Sequence, residues 1–144
     1  MRSEEIEIRT GGHETVRDIT RECERFLDDA GRGGGEDGGS GDGLLHVFVP
    51  HATAGLVLME TGAGSDDDLL AQLRELLPPD DRWGHRHGSP GHGRDHVLPA
   101  LVAPSVTVPV LGGRMALGTW QSVCLVDTNG DNPSRRVRLS LLAG

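Results

Sequence analysis

The stretch SVTVPVLGGRMALGTWQSVCLVDTNGDNPSRRVRLSLL, residues 105–142, carries the strongest secondary-structure signal in the chain. It contains three runs rich in β-branched and apolar residues, separated by the pair Gly112 and Gly113 and by the turn sequence NGDNPS at 129–134. Runs of this composition between short turns are typical of consecutive antiparallel strands. We therefore predict an antiparallel meander in this part of the chain.

Further strand signals lie nearer the N-terminus. The apolar runs LLHVFV (44–49) and GLVLME (55–60) flank the short segment PHATA, and EEIEIRT (4–10) alternates between charged and apolar residues. Alternation with a period of two is typical of a half-buried strand. These segments predict three more strands.

Two segments have the apolar spacing of amphipathic helices. The first runs from Glu14 to about Ala30, and the second, SDDDLLAQLRELLPP (65–79), has Ser65 as its expected N-cap and two prolines at its end. Its three aspartates suit the first turn of a helix, where negative charge meets the positive end of the helix dipole. The first helix carries its apolar stripe on Val16, Ile19, Cys23, Phe26 and Leu27.

Between the first helix and the next strand lies the glycine-rich segment GRGGGEDGGSGDG (31–43), which we expect to be a flexible loop because it offers few apolar side chains. The two main helices are separated by strand signals, and strands dominate. The expected fold is α+β: one domain over residues 1–144, with helices covering an antiparallel β-sandwich or meander.

Composition limits the classes of function. The net charge is -8, which disfavours nucleic acid as a partner. All 14 basic residues are arginines, so a Schiff-base or P-loop lysine is excluded. Cys23 and Cys124 are far apart and are expected to be buried free thiols. No apolar run approaches the about 20 residues that span a bilayer, and the N-terminal sequence is too charged for a signal peptide, which favours a cytoplasmic protein without a membrane partner.

Four histidines, His85, His87, His92 and His96, fall within the segment GHRHGSPGHGRDH (84–96). Imidazole is the commonest side-chain metal ligand, so this crowding predicts a site for a divalent metal ion. Arg86 offers an alternative, because its guanidinium is suited to binding an anion. At least one of the four histidines is expected to be an exposed loop residue without a role.

Other residues have both a functional and a structural interpretation. His51 and Glu60 each stand at the end of an apolar strand, where His51 could simply bond the backbone and Glu60 could be a solvated carboxylate. Trp120 and Gln121 share the sequence GTWQS, in which Trp120 could be a core residue and Gln121 could face either a substrate or water. Spacing alone leaves both interpretations open.

The order of motifs resembles one family. The segment GLLHVFVPHATAGLVLME, a helix ending in LLPP, the sequence WGH, a histidine eleven residues later, and then SVTVPV, GGR, LGTWQ and SRRV closely resemble the YjbQ family of small proteins, also described as secondary thiamine-phosphate synthases. The match runs from about Leu44 to the end of the sequence. The resemblance implies an α+β domain built on a β-sandwich and a homotrimer.

The resemblance also implies a set of site residues. His51, His85 and His96 would form a metal triad, with zinc as the expected ion and magnesium as the alternative. His92 stands where the family often has asparagine or aspartate, so it is either an additional ligand or an outer partner of one. The residues implied for catalysis are Glu60, Asp68, Trp120 and Gln121.

The implied activity is thiamine-phosphate synthesis, in which a hydroxymethylpyrimidine diphosphate and a thiazole phosphate are joined and pyrophosphate is expelled. Arg114 and either Arg135 or Arg136 would bind the charged small-molecule substrate, and Trp120 would stack on it. Magnesium normally serves diphosphate groups and prefers oxygen ligands, whereas three imidazoles suit zinc. The alternatives are therefore a metal-dependent hydrolase of a small phosphorylated or acyl compound, with synthesis as a side activity, and a non-catalytic trimeric metal or ligand binder.

Overall fold

The computed structural model describes residues 1–33 and 41–144. Within these ranges the chain forms eight strands, three α-helices and one 3-10 helix. The strands are β1 (Arg2–Arg9), β2 (Thr15–Asp18), β3 (Gly43–Phe48), β4 (Ala54–Met59), β5 (Ser105–Leu111), β6 (Arg114–Met115), β7 (Ser122–Asp127) and β8 (Ser134–Ala143). The helices are α1 (Thr20–Gly33), α2 (Ser65–Leu76) and α3 (Leu98–Leu101), and the 3-10 helix covers His92–His96.

The strands form two antiparallel sheets that pack face to face. The larger sheet has the order β1-β8-β3-β5-β6, and the smaller has the order β2-β7-β4. Alternate residues of each strand point between the sheets, where Leu45, Val47 and Leu139 of the larger sheet meet Leu56 and Leu125 of the smaller one. Each such side chain removed from water contributes about 1.5–3 kcal/mol to folding. The expected single-domain α+β sandwich is confirmed.

The helices cover the core between the sheets and the outer face of the smaller sheet. Buried residues of α1 join the core between the sheets. Leu73 and Leu77, Leu98 of α3 and the following Val102 pack on Val126, which faces the other side of the smaller sheet. Gly55 makes room for this layer, since a side chain there would meet the carbonyl oxygen of Val102 at 2.1 Å. The smaller sheet is therefore buried on both faces and fixes the position of the loop between α2 and α3.

Residues 105–142 do not form a continuous meander. The run expected as one middle strand is divided into β6 and β7, which lie in different sheets, and residues 116–121 cross between them. β5 pairs with β3, and β8 pairs with β1 and β3. The alternation correctly marks the buried residues, but it does not indicate which sheet each strand joins.

The first helix starts later than the sequence indicates. Residues Thr15–Asp18 form β2, which pairs with β7, and α1 begins only at Thr20, whose backbone N–H donates to Asp18 Oδ1 at 2.9 Å. Val16 fits the apolar spacing of a helix as well as that of a strand, so the predicted helix began several residues too early. α1 also continues past Ala30 to Gly33.

The bounds of α2 and of the glycine-rich segment differ from those expected from the sequence. Ser65 is the first residue of α2 rather than its N-cap, because Gly64 takes the cap position with φ 96° and no side chain caps the helix. The expected flexible loop at 31–43 overlaps the end of α1 and the start of β3, and its centre, 34–40, lies outside the described residues. In the described part of the chain, no helix is long and apolar enough to cross a membrane.

A buried ion pair joins the end of β7 to the start of β8. Asp127 is fully buried and Arg135 is 2% exposed. The Nε of Arg135 donates to Asp127 Oδ2 at 2.7 Å, and its Nη2 donates to Oδ1 at 2.9 Å. The pair thus links the two sheets at the end of the sandwich where the histidine-rich loop lies.

Both cysteines are buried free thiols, as expected. Burial, with smaller contributions from nearby carboxylates, raises the pKa of Cys23 and of Cys124 to about 12. Thiols held in this form are poor nucleophiles. Neither cysteine is a candidate for chemistry.

Candidate metal centre

The histidine-rich loop joins α2 to α3 and is fixed at its base by Trp83. The indole Nε1–H of Trp83 donates to the carbonyl oxygen of Pro78 at 2.8 Å. Gly93 packs so closely on this loop that a side chain would meet Trp83 Cβ and the His85 carbonyl oxygen at 2.5 Å. This contact brings the 3-10 helix against the segment that carries His85.

Three imidazoles converge at this point. His85, His92 and His96 each offer a nitrogen, and the three atoms lie within 4.8 Å of one another. The Nε2 atoms of His92 and His96 are 2.9 Å apart. We call these three residues the histidine group.

The donor set of the histidine group fits a metal ion. His85 Nε2 is buried and has no hydrogen-bond partner in the described part of the chain, which is unusual for a polar atom in the protein interior. Zinc–nitrogen bonds of about 2.0–2.1 Å place tetrahedral donors about 3.4 Å apart, so small side-chain adjustments would complete the coordination. Three neutral imidazoles are the ligands of a zinc site with an open fourth position.

The electrostatics of the group favour the neutral, metal-binding form of its histidines. Burial lowers the pKa of His85 below its usual value, and His87, His96 and His92 lower it further because positive charges would repel. Burial also lowers the pKa of His96, with His92 and His87 adding to the effect and Asp95 opposing it. The imidazoles of His85 and His96 are therefore neutral at neutral pH, and each offers a nitrogen lone pair to a cation.

The turn between β7 and β8 supplies outer partners for His92. His92 Nδ1 lies 2.9 Å from Asp131 Oδ2 and 2.8 Å from Asn129 Nδ2. The amide of Asn129 is oriented by two further bonds, since its Oδ1 accepts the Asp131 N–H and its Nδ2 donates to Asp95. The two contacts need different tautomers, because Asn129 Nδ2 can only donate to Nδ1 and Asp131 Oδ2 can only accept from it. The tautomer that donates from Nδ1 to Asp131 leaves the Nε2 lone pair free, which is the form that a metal requires.

Residues Asn129 and Asp131 were not identified from sequence. Both belong to NGDNPS, whose composition is fully explained by its turn. The same turn is held against the histidine-rich loop by Asp131, which accepts the backbone N–H of Ser89 at 3.2 Å. These hydrogen bonds hold the pKa of Asp131 below its usual value.

Replacing Asp131 with alanine is expected to weaken binding of a divalent metal ion by about 10–100-fold, the usual cost of losing an outer carboxylate partner of a ligating histidine. Its side chain is 34% exposed, so the fold should survive. Competition with a chromophoric chelator measures the affinity. Asp81→Ala is the matched control, because Asp81 lines a cavity together with His85 and His92 and makes no bond to a histidine within the described residues. Equal affinities for the two variants would exclude this role.

The 3-10 helix is anchored from below by buried polar residues. Asp95 is 4% exposed and accepts hydrogen bonds from Thr128 at 2.6 Å and from Asn129 at 3.1 Å. Burial raises its pKa, although these bonds and Arg94 oppose the shift. Arg94 forms an ion pair with Glu14 and donates to the carbonyl oxygen of Leu77. His92 and His96 are thus set on a rigid support.

His51 and His87 lie outside the histidine group. The Nε2 of His51 accepts the backbone N–H of Arg136 at 2.9 Å, on the strand next to the Asp127–Arg135 pair. Burial and then Arg135 and Arg136 lower the pKa of His51. His87 is exposed, and its ring centroid lies 3.9 Å from that of His85. Within one chain the structure therefore groups His92, rather than His51, with His85 and His96.

The residues expected to be catalytic lie at the other end of the smaller sheet. Met59 pairs with Ser122 at the end of the β4–β7 ladder, so Glu60 and Gln121 follow directly from that end. Trp120 is 72% exposed rather than part of the core, and Asp68 is exposed in the first turn of α2. Asn129, which contacts His92, lies beyond the opposite end of β7. One chain does not bring these four residues to the histidine group.

The two arginines expected to bind substrate are also apart from the group. Arg135 is buried in its pair with Asp127, so its guanidinium holds the two sheets together, and its role in substrate binding stays a prediction. Arg114 lies in β6 beside a small cavity that Glu24 and Asp28 of α1 also line. In the described part of the chain, neither arginine lines the cavity that opens beside His85 and His92.

A cavity of about 340 Å³ opens beside His85 and His92. Arg86 lines it together with Asp81 and Trp83. No ion pair of Arg86 is formed within the described residues, in contrast to Arg82, whose guanidinium is bound by Asp80. The cavity thus combines the histidine group with a guanidinium that can reach an anion.

Comparisons with known proteins agree with this fold. A family model described as "UPF0047 protein YjbQ-like" matches residues 4–144. A UPF0047 protein of Mycobacterium bovis is 68% identical over 103 residues, which is 72% of this chain and 80% of that protein. A UPF0047 protein of Archaeoglobus fulgidus is 32% identical over 139 residues, or 96% of this chain and 99% of that one.

Solved structures show the same architecture. The crystal structure of a hypothetical protein from Aeropyrum pernix is 31% identical, covers 100% of both chains and superposes with a TM-score of 0.84. A conserved hypothetical protein from Thermus thermophilus is 32% identical, with a TM-score of 0.76 over 96% of this chain and 99% of that one. The family match and these structures agree in describing one domain of this type.

Proposed function

The chain belongs to the YjbQ-like UPF0047 family, and we propose that it is a metal-dependent enzyme acting on a small phosphorylated substrate. The observation that supports this most directly is the histidine group, with its three converging nitrogens and the unpartnered Nε2 of His85. Structural zinc sites are usually closed by four protein ligands, whereas three leave a position for water or substrate. A catalytic site is therefore the better interpretation.

Zinc is the ion that this donor set favours, since magnesium prefers oxygen ligands. When bound, such an ion supplies a Lewis acid that polarises a phosphoryl oxygen or lowers the pKa of a bound water. His85, His92 and His96 would hold it, and Asp131 would orient His92. Arg86, at the rim of the cavity, would bind the phosphate and place it beside the group.

Two reactions share this substrate chemistry. The resemblance to the YjbQ family favours joining a pyrimidine diphosphate to a thiazole phosphate, which needs charge neutralisation at the leaving pyrophosphate. The three-histidine donor set favours hydrolysis of a phosphate ester, because a water-activating ion is the usual partner of such ligands. We propose the hydrolytic reaction as the main one and the synthase reaction as the secondary one.

The test uses zinc-loaded and metal-stripped protein purified without a histidine tag. Both are incubated with the two thiamine precursors and, separately, with a panel of phosphate esters and acyl esters, and the products are followed by mass spectrometry. Zinc-dependent phosphate release that His96→Ala abolishes and Arg86→Ala weakens through KM is the expected result. Zinc-dependent thiamine phosphate alone would assign the synthase reaction, and no turnover of any compound would leave a non-catalytic binder.

Zinc binding should depend on pH in a direction set by the lowered pKa values. Protons compete with zinc for the imidazoles, so affinity falls once His85 and His96 become protonated. Because the pKa values of His85 and His96 lie below about 6.5, the usual value for histidine, protonation of these two ligands should reduce affinity only below about pH 6.5. Isothermal titration calorimetry across this range measures the dependence, and loss of half the affinity above pH 7 would contradict it.

We further propose a cytoplasmic homotrimer. Two free thiols in a chain without disulfides suit a reducing compartment. Sedimentation equilibrium measures the mass of the assembly.

A further inference from the structure

We propose that the loop between β1 and β2, residues 10–14, positions the metal centre by holding both of the segments that form it, with Glu14 as its main positioning residue. One segment is the 3-10 helix His92–His96, which carries two of the three histidines. The other is the turn between β7 and β8, which carries the two outer partners of His92. This inference rests on the proposed metal centre and deepens it by assigning a role to a segment outside the histidine group.

Glu14 reaches the 3-10 helix through a buried arginine. Arg94 is 5% exposed, and its guanidinium forms an ion pair with Glu14. The same guanidinium donates to the carbonyl oxygen of Leu77, just beyond the end of α2, at 3.2 Å. Arg94 stands two residues from His92 and two from His96, so these contacts fix the backbone that carries both rings.

The guanidinium of Arg94 depends on Glu14 because it has lost most of its contact with water. A buried charge that loses its partner is strongly destabilised. Asp95 lies 3.5 Å from Arg94 Nε, but its oxygens already accept two other hydrogen bonds. Without Glu14, Arg94 therefore has to turn toward water, and the 3-10 helix that carries it moves as well.

The same loop holds the turn between β7 and β8. The backbone N–H groups of Thr10 and Gly11 both donate to the carbonyl oxygen of Pro133, at 2.9 and 3.0 Å. Gly130 packs directly on the loop, because a side chain there would meet the carbonyl oxygen of Gly12 at 2.8 Å. Gly130 lies between the asparagine and the aspartate that contact the histidine group, so the loop fixes the place of both.

The position of the loop in the fold explains how it can hold two segments at once. β1 belongs to the larger sheet and ends at Arg9, opposite Ser134, whereas β2 belongs to the smaller sheet and begins at Thr15, opposite Asp127. The loop thus crosses from one sheet to the other at the end of the sandwich where the metal centre lies. A metal site needs its ligands held within fractions of an ångström, and such precision comes from the residues that support the ligands.

The first test removes the carboxylate. Glu14→Ala should weaken zinc binding by at least about 10-fold, the lower end of the cost of losing an outer partner, as measured by chelator competition. It should also change the visible absorption of bound Co²⁺, which depends on coordination geometry. Glu14→Gln keeps an oxygen that accepts from Arg94 and should recover most of the loss. Arg74→Met is the control, because Arg74 pairs with the other oxygen of Glu14 from a half-exposed position in α2.

A double-variant cycle shows whether Glu14 acts through Arg94. Arg94→Met should weaken zinc binding as much as Glu14→Ala does, and the double variant should lose no more than either, because one contact is removed in all three. Losses that add would contradict this coupling. If Glu14→Ala does not fold, Arg94→Met still tests the contact, since Glu14 then keeps its pair with Arg74.

The second test moves the turn. In Gly130→Ala the added carbon meets the backbone of the loop, so the turn has to shift and zinc affinity should fall. Gly12→Ala is the matched control, because a carbon added at Gly12 has no atom within 4 Å. Equal affinities for the two variants would show that the loop does not position the turn.

A readout on the metal-free protein separates this proposal from the proposed function. The ring signals of His92 and His96 in NMR spectra should shift in Glu14→Ala, whereas those of His46, bonded to Thr107 on the larger sheet, should not. If the unaltered protein binds neither zinc nor Co²⁺, the metal centre is rejected and the ring signals alone decide whether the loop positions the histidines. Unchanged ring signals in Glu14→Ala, together with lower stability in urea, would reduce Glu14 to a structural role and overturn the proposal.

Discussion

Replacing His92 with alanine should abolish tight zinc binding. His92 contributes one of three converging nitrogens, and its Nε2 lies 2.9 Å from that of His96. Loss of an outer partner lowers metal affinity by about 10–100-fold, and loss of a direct ligand should lower it further. Affinity measured by chelator competition, and bound zinc measured by mass spectrometry after dialysis, should both fall to the level of the metal-stripped protein.

His51→Ala and His87→Ala are the matched controls, because each removes an imidazole from the same end of the sandwich. The geometry predicts nearly normal affinity for both, since His51 is bonded to the backbone of Arg136 and His87 lies outside the group. The resemblance to the family predicts the reverse for His51, as a member of the triad with His85 and His96. Zinc lost by His51→Ala and kept by His92→Ala would reject the group described here.

The secondary structure could largely be predicted because burial alternates along the strands. Leu45 and Val47, or Val137 and Leu139, are two residues apart and face the core. The alternation does not predict which sheet a strand joins, because it indicates that one face of the strand is buried and not what covers that face. For the same reason Val16 could be placed in a helix until its pairing with Val126 was known.

The site could be predicted in part. The crowding of histidines and the family order of motifs predict His85 and His96 as ligands, and the same crowding makes His92 an additional candidate. Asn129 and Asp131 were missed because a turn already accounts for residues of their type. The placement of Trp120 and Glu60 far from the histidines depends on strand register, which no spacing within the sequence encodes.

The end of β7 carries a sequence signal for a buried ion pair. Asp127 ends an otherwise apolar strand, SVCLVD, and a charged residue in such a setting is almost never buried without a partner. Arg135 lies at the start of the next strand, where the resemblance to the family implies a role in substrate binding instead. The structure joins the two in a buried pair, which makes stability the property to test.

Arg135→Met should therefore lower the free energy of unfolding by about 3–5 kcal/mol, because it leaves the carboxylate of Asp127 buried and unpaired. Urea denaturation measures this as a fall in the midpoint with an unchanged slope. Arg136→Met is the control. Its side chain is 61% exposed in a pair with Glu5, so the expected loss is at most about 1 kcal/mol.

The double variant Asp127→Leu with Arg135→Met separates charge burial from packing. With neither charge left unpaired, most of the lost stability should return, less about 1 kcal/mol because the backbone N–H of Asn129 loses Asp127 Oδ1 as its acceptor. Equal small losses for Arg135→Met and Arg136→Met would show that the pair does not hold the sheets together. A buried guanidinium cannot reach an anion while it is paired with Asp127, so inorganic phosphate should bind Arg135→Met as tightly as it binds the unaltered protein. That result would exclude Arg135 from substrate binding.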